Sequence, residues 1–227
     1  MEIAKKKDFV EIKFTGYANG SIFDSNIEED LRKIDSKAKP KKTIIIVGEG
    51  MVVPGLDNAL EGKEIGKEYE IKISAKDGFG ERKRELVKTI PLKVFNEKNV
   101  NPAPGMVLAM DNSLVRIIAV SGARVVSDFN NPLAGKELVY KFKIERIVRD
   151  EKEKASALFE LIFKFVPDFE LKENAIVVKG PKILEKFVDN FKDKFKEFLG
   201  KELKFEFVEK KPENKKEKEE AEFEKKE

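Results

Sequence analysis

Three short runs hold the residues that could do chemistry. Phe14-Thr15-Gly16 and Gly20-Ser21-Ile22-Phe23-Asp24-Ser25 lie early in the chain. The third, residues 48–80, reads GEGMVVPGLDNALEGKEIGKEYEIKISAKDGFG. They bring together aliphatic side chains, aromatic rings, glycines and the carboxyl group of Asp24. The rest of the catalytic inventory is empty, because the chain has no Cys, no His and no Trp. Thiol nucleophiles, disulfides, Ser-His-Asp triads and histidine acid–base steps are therefore excluded. Zinc sites normally need Cys or His, so no metal and no cofactor is expected. Gly48-Glu49-Gly50 lacks the Lys-Ser/Thr that completes a phosphate loop. The Asp/Glu clusters could suggest a carboxylate-pair hydrolase, but in a chain that is 39% charged they read as a solvated surface. What remains is chemistry by carboxylate, lysine, tyrosine or shape alone.

The elements that must position these residues can be read from periodicity. Val10, Ile12 and Phe14 alternate with Glu11 and Lys13, which predicts a strand over 8–14. Ile27, Leu31 and Ile34 repeat at helical spacing in a lysine-rich segment, so a short surface helix and loop follow. Residues 43–47 form a dense β-branched strand. Pro54-Gly55 reads as a turn, with Pro setting φ and Gly allowing a positive φ. Leu56, Ala59 and Leu60 predict a short helix that Gly62 ends. Tyr69, Ile71 and Ile73 predict a half-buried strand, and Asp77-Gly78-Phe79-Gly80 a turn that holds one ring between two glycines.

Taken together, the two early runs and the 48–80 stretch resemble the pocket of FKBP-type peptidyl-prolyl isomerases. That family shows Tyr-Thr-Gly…Gly…Phe-Asp-Ser upstream, then Val-(Ile/Leu)-x-Gly-(Trp/Leu)-x-x-(Ala/Gly)-(Leu/Val) and Tyr-Gly. The family's last strand matches residues 138–148, where Tyr140, Phe142 and Ile144 alternate with charged residues. More than fifty residues stand between, too many for a structureless loop in a compact domain. They carry strand signals of their own at 106–110, 114–120 and 123–129, joined at Asp111-Asn112-Ser113 and Ser121-Gly122. Leu86-Val87-Lys88-Thr89-Ile90-Pro91, Val94-Phe95 and Asn130-Asn131-Pro132-Leu133-Ala134-Gly135 resemble the insert-in-flap domain of SlyD-type members. Asn131 stands where that group usually has His. The Cys- and His-rich metal-binding tail of bacterial SlyD is missing, so no nickel role is expected.

The C-terminal third reads as an extra domain, a feature of the long archaeal members. Residues 151–156 are a charged linker; Phe159, Leu161, Phe163 and Phe165 then line a strand face, and 175–179 are a second strand. Gly180-Pro181 opens a helix carrying Ile183, Leu184, Phe187, Val188, Phe191, Phe195, Phe198 and Leu199. Gly200 ends it, and Leu203, Phe205 and Phe207 alternate in a last strand. The apolar stripe covers roughly 160° of the helix, against the ~100° that one core face needs. It serves either a fully buried helix or a homodimer or client interface. The expected class is α+β. An antiparallel FKBP half-barrel wraps a short helix, over residues 1–83 and 137–150. A small β domain is inserted at 84–136, a ββαβ-like domain occupies 151–208, and 209–227 form a charged tail.

The resemblance implies catalysis of X-Pro rotation on unfolded or partly folded, proline-containing polypeptides. It implies a pocket of Phe14, Phe23, Asp24, Val52, Val53, Leu56, Phe79 and Tyr140. Val52, Val53 and Leu56 make the floor, Phe23, Phe79 and Tyr140 the walls, and Asp24 orients the substrate backbone. The Val53 N–H holds a substrate carbonyl. Each has an ordinary reading too: Phe14 and Tyr140 as core strand residues, Asp24-Ser25 as a turn or cap. Phe14 and Phe79 replace family tyrosines, and Leu56 replaces the Trp of macrolide-binding members. The resemblance thus allows a second reading, a chaperone with a weak or dead pocket. Met106, Leu108 and Met110, near Pro102 and Pro104, offer adaptable apolar surface for clients, or serve as the insert's own core.

Composition bounds the partners. Lys+Arg 46 against Asp+Glu 43 leaves a net +3, too small to specify nucleic acid or the ribosome. Such Lys/Glu richness suits a heat-adapted organism. No apolar run reaches the ~18 residues of a membrane span, and MEIAKKKDFVEIKF turns quickly into a strand rather than a secretion signal. A cytoplasmic protein is expected.

Overall fold

The computed structural model describes residues 2–110 and 113–208. The turn at Asp111-Asn112 and the charged tail over 209–227 lie outside the described residues. The chain divides into two compact units, Met1–Ile147 and Val148–Glu227.

In the first unit, β1 (Phe9–Ala18), β2 (Ser21–Ser25), α1 (Glu28–Ile34), β3 (Thr43–Ile46), α2 (Pro54–Leu60) and β4 (Glu68–Ile73) come in order. Then follow β5 (Val87–Pro91), α3 (Leu92–Glu97), β6 (Val107–Met110), β7 (Ser113–Ser121), β8 (Arg124–Asp128) and β9 (Leu138–Ile147). One antiparallel sheet has the order β2-β1-β9-β4, with β3 also pairing β1. One face holds the main core, including Val10, Ile12, Phe14, Ile45, Leu138, Tyr140, Phe142 and Ile144. Helix α2 is only seven residues long, and so short a helix is marginal by itself. Tertiary burial holds it, because Leu56 and Leu60 are buried in that core.

Pro54-Gly55 is not a turn with positive φ. Pro54 is the first residue of α2, where its missing N–H costs nothing. Gly55 is needed for proximity: a Cβ there would lie 2.4 Å from Ile73 Cγ2. Its N–H also donates to the Asp77 carbonyl at 2.8 Å, fastening the helix start to the turn that carries Phe79. Gly62, at φ +76°, does end the helix through backbone freedom.

The residues between β4 and β9 form a second antiparallel sheet, of order β5-β8-β7-β6, with α3 packed on it. Its core is small: Phe95, Ile117 and Val125 are buried, with Met106, Leu108 and Met110 half-buried against them.

The second unit contains α4 (Glu151–Phe163), β10 (Asp168–Leu171), β11 (Ala175–Gly180), α5 (Ile183–Leu199) and β12 (Glu202–Phe207). Residues 151–163 depart from the linker and strand expected there. The charged linker at 151–156 and the strand through Phe159 and Phe163 are one helix. Asp150 caps it by accepting the Glu153 N–H at 2.8 Å. Phe159, Leu161 and Phe163 alternate by two, but Ala155, Leu158, Phe159 and Phe163 also follow the helical repeat, and packing favours the latter. The Phe159 ring centroid lies 5.3 Å from that of Phe163, edge to face, and 5.1 and 4.6 Å from those of Phe169 and Phe195, both tilted. The sheet is mixed, β10-β11 antiparallel and β11-β12 parallel. The parallel pair requires a crossover, which α5 supplies. Only Val188 and Phe195 of α5 are buried; Ile183 and Phe187 are exposed.

Candidate functional site

The backbone gathers residues of the three motif runs onto the core-facing side of the first sheet. Phe14 projects from β1, Phe23 from β2 and Tyr140 from β9. Val52 and Val53 lead into α2, which contributes Leu56, and Phe79 stands on the turn after β4. Phe14, Leu56 and Tyr140 are buried in one apolar cluster, and Phe23, Val52, Val53 and Phe79 pack against it half-buried. The rings meet edge to face: Phe23 lies 5.7 Å from Phe79 at 80° and 5.7 Å from Tyr140 at 90°. Phe14 sits 6.1 Å from Tyr140. Met106, Leu108 and Met110 lie elsewhere, on the insert.

The sheet register explains how the rings meet. Gly16 pairs with Asp24 on one side and Tyr140 on the other, beside a bulge between Gly16 and Tyr17. With no side chain at Gly16, Phe23 lies across the gap. A Cβ there would be 2.7 Å from Phe23 Cζ and 3.0 Å from Tyr140 Cε1. Glycine inside a strand often marks such a close approach. Asn26 holds this end of β1, its Oδ1 accepting the Phe14 N–H at 2.8 Å and its Nδ2 donating to the Ile12 carbonyl at 2.7 Å.

The loop that leads into Val52 and Val53 is fastened by Asp57, to which the sequence motifs assign no role. Asp57 is buried in the first turn of α2. Its two oxygens accept the N–H groups of Gly48 at 2.9 Å and Gly50 at 2.8 Å. Leu133, from the Asn-Pro-Leu-Ala-Gly run, also packs against the cluster. The Asn131 side chain accepts the Leu133 N–H at 2.8 Å, shaping that approach. The signals were present in the sequence, a lone carboxylate in an apolar helix and a leucine in a loop, but nothing local says what they touch.

Electrostatics set Asp24 and Tyr140 apart. Asp24 keeps contact with solvent, yet the surrounding protein removes enough water to raise its pKa above 3.8; a hydrogen bond from the Ser25 backbone pulls partly the other way. The Tyr140 hydroxyl is pushed up to about 12, by burial first and by the Asp24 charge second. It therefore stays a neutral donor at any physiological pH. A raised folded pKa means that Asp24 binds its proton more tightly folded than unfolded, so its contribution falls as pH rises from 3.8 through the folded value. Asp24→Asn is expected to melt higher than the parent at pH 7, with the gap closing as pH drops through the carboxylate range. A variant that melts lower at pH 7 would contradict this.

A depression of about 550 Å³ lies on the other side of the same sheet, away from these rings, lined by residues including Lys13, Tyr17, Glu70 and Lys141. Its lysines Lys141 and Lys143 pair with Glu70 and Glu145 at 3.5 and 3.1 Å. Among the described residues, no three carboxylates gather to hold a metal. No helix there is long and apolar enough to cross a membrane.

Residues 1–94 match the pattern described as FKBP-type peptidyl-prolyl cis-trans isomerase, and residues 88–133 match that described as FKBP26, IF domain. A short-type peptidyl-prolyl cis-trans isomerase of Methanocaldococcus jannaschii is 31% identical over 156 residues, which are 67% of this chain and 99% of that protein. SlyD of Yersinia pestis is 36% identical over 104 residues, 43% of this chain and 51% of SlyD. SlyD of Escherichia coli K12 is 33% identical over 111 residues, 43% of this chain and 50% of SlyD. The chain thus spans about half the length of these SlyD relatives.

Proposed function

Because this chain belongs to the FKBP-type peptidyl-prolyl cis-trans isomerases, with the insert domain of the SlyD-like members, we propose how it works: it turns X-Pro bonds by drying them. Rotation about a peptide bond meets a barrier of about 18–20 kcal/mol, and prolyl isomers exchange slowly enough to limit folding. The twisted transition state has lost amide resonance and much of its charge separation. An apolar pocket that strips water from the prolyl amide therefore raises the planar ground state more than the twisted state. Acceleration by about 10⁴ needs only about 5.5 kcal/mol of this difference.

The observation that carries the reading is the single apolar cluster of rings and aliphatic side chains, in a chain without a Cys or His nucleophile. Val52, Val53 and Leu56 serve as floor, Phe14, Phe23, Phe79 and Tyr140 as surround, and Asp24 as the charged rim. The Val53 N–H, without a partner among the described residues, is available to hold a substrate carbonyl. Proline-limited refolding of an unfolded protein should run faster with catalytic amounts of this chain. A rate equal to buffer would overturn the reading.

We assign client capture to the insert, residues 84–136. Met106, Leu108 and Met110 are half-buried over its small core, and Val107, Leu114 and Ile118 on the opposite face are 51%, 58% and 41% exposed. Replacing residues 87–128 by a short linker, which keeps Leu133 and the Gly135–Gly80 bond, should leave turnover of a short proline peptide intact while refolding catalysis and aggregation suppression fall. If the peptide is not turned over even by the full chain, the protein is a binding module only. For the C-terminal domain, residues 151–208, we propose a homodimer contact. Phe165, Val166, Ile183 and Phe187 are exposed on a unit whose core is small. A sedimentation mass of one chain would count against it. A cytoplasmic location suits both roles.

A further inference from the structure

We propose that Asn130 is a positioning residue that couples the insert to the pocket, so that a client held by the insert meets the floor and walls. This rests on the client role assigned to the insert above. Two segments join the insert to the isomerase sheet, one following Phe79 and the other leading into β9. They are bonded at both ends, by Gly135 N–H to the Gly80 carbonyl at 2.8 Å and by Phe129 N–H to the Leu86 carbonyl at 2.9 Å. Between those points direct backbone pairing lapses, and Asn130 fills the gap. Its Oδ1 accepts the Lys83 N–H at 2.9 Å, and its Nδ2 donates to the Lys83 carbonyl at 2.9 Å. One side-chain amide thus pairs both main-chain groups of a single residue, as a neighbouring strand would.

The amide is itself held in place. Nδ2 also donates to Asp128 Oδ1 at 2.7 Å, and the Asn130 N–H donates to the same oxygen at 3.0 Å. Asp128 Oδ2 accepts from Arg82 at 2.6 Å. Asn130 and Asp128 are both buried. A buried amide left without partners would be costly, whereas a fully bonded network stiffens what it spans.

The location makes this more than local bracing. Phe79, a wall of the pocket, immediately precedes Gly80. Leu133, three residues beyond Asn130, packs against the pocket cluster. Both stay on the pocket side of the neck, tied by the Gly80 N–H to the Ala75 carbonyl and the Gly135 N–H to the Gly80 carbonyl, each at 2.8 Å, so a swing at Asn130 moves the insert and its client and leaves the walls in place.

The test compares two substrates with the full chain. One is a short X-Pro peptide; the other is an unfolded protein whose refolding is limited by proline. Asn130→Ala should keep peptide kcat/KM within about twofold while catalysis of protein refolding falls about five- to tenfold, the size of a typical coupling between sites. Arg82→Gln should show a weaker loss of the same kind. Its side chain is half exposed, so the fold tolerates the change and this variant decides if Asn130→Ala does not fold. Unchanged refolding catalysis overturns the proposal, and so does an equal fall with both substrates. Leu114→Asp separates the two readings. If it leaves refolding catalysis untouched, the client role fails and the coupling with it. If it lowers refolding catalysis while Asn130→Ala does not, the coupling alone is overturned.

Discussion

Adding one methyl group, by Gly16→Ala, is expected to remove most of the isomerase activity while sparing most of the stability. The backbone at Gly16 is not in the left-handed region, so alanine fits the strand itself. The obstacle is what the new Cβ meets: Phe23 Cζ at 2.7 Å, Phe23 Cε1 at 3.0 Å and Tyr140 Cε1 at 3.0 Å. Tyr140 is 4% exposed and cannot retreat. Phe23 is half-buried at the pocket edge and can, so it moves and its edge contact with Phe79 opens. Overpacking usually costs about 1–3 kcal/mol. A mobile ring keeps the loss at the low end, and alanine recovers about 0.4–1 kcal/mol by restricting the unfolded chain. With Phe23 as a wall of the proposed site, displacing it should cost about ten- to a hundredfold in kcat/KM. Peptide turnover measured beside a thermal melt checks both halves. Full activity in a folded variant would mean that the ring is not used where it now stands.

The largest stability loss is expected from Asp57→Ala. Both oxygens of this carboxylate accept backbone N–H groups, from Gly48 and Gly50, at 2.9 and 2.8 Å. Both glycines have positive φ, +83° and +68°, so the loop they form has little regular pairing of its own. Hydrogen bonds to a charged group contribute about 1.5–3 kcal/mol each. The glycines face solvent, and water takes over part of what is lost. A fall of about 2–4 kcal/mol in unfolding free energy follows. Val52 and Val53 continue directly from this loop, so activity should fall in the fraction that stays folded. Asp57→Asn should recover only part, because one oxygen becomes an N–H donor facing another donor. Denaturant melts of the three proteins settle the order, and a loss in Asp57→Ala below about 0.5 kcal/mol, the range of ordinary surface changes, would refute the account.

These two positions show how unevenly the site was legible. Phe14, Phe23, Val52, Val53, Leu56, Phe79 and Tyr140, the residues proposed for the site, were named through the family resemblance that their motifs carry. Gly16 stood inside a quoted motif, but its role depends on Phe23 and Tyr140 arriving from other strands. Asp57 lies among apolar helix residues, and its partners are seven and nine residues upstream. Asn130 binds a residue 47 positions away. The C-terminal unit gives the opposite lesson, since its aromatic run suits two periods at once.

By itself, the sequence determined that catalysis must proceed without thiol or imidazole. It also determined that strands alternate over 8–14 and 68–73, that a short helix follows Pro54, and that a separate sheet interrupts the path to the last strand. Those are matters of residue type and of spacing over a few positions, and a chain carries them locally. The tertiary structure alone decided that residues 151–163 are helical, because a run compatible with both periods takes the one its neighbours can pack. It also decided that Gly55 serves proximity rather than φ, and which distant groups satisfy Asp57 and Asn130. A buried polar group or a missing side chain has meaning only through what stands opposite, and that is set when separate segments close on one core.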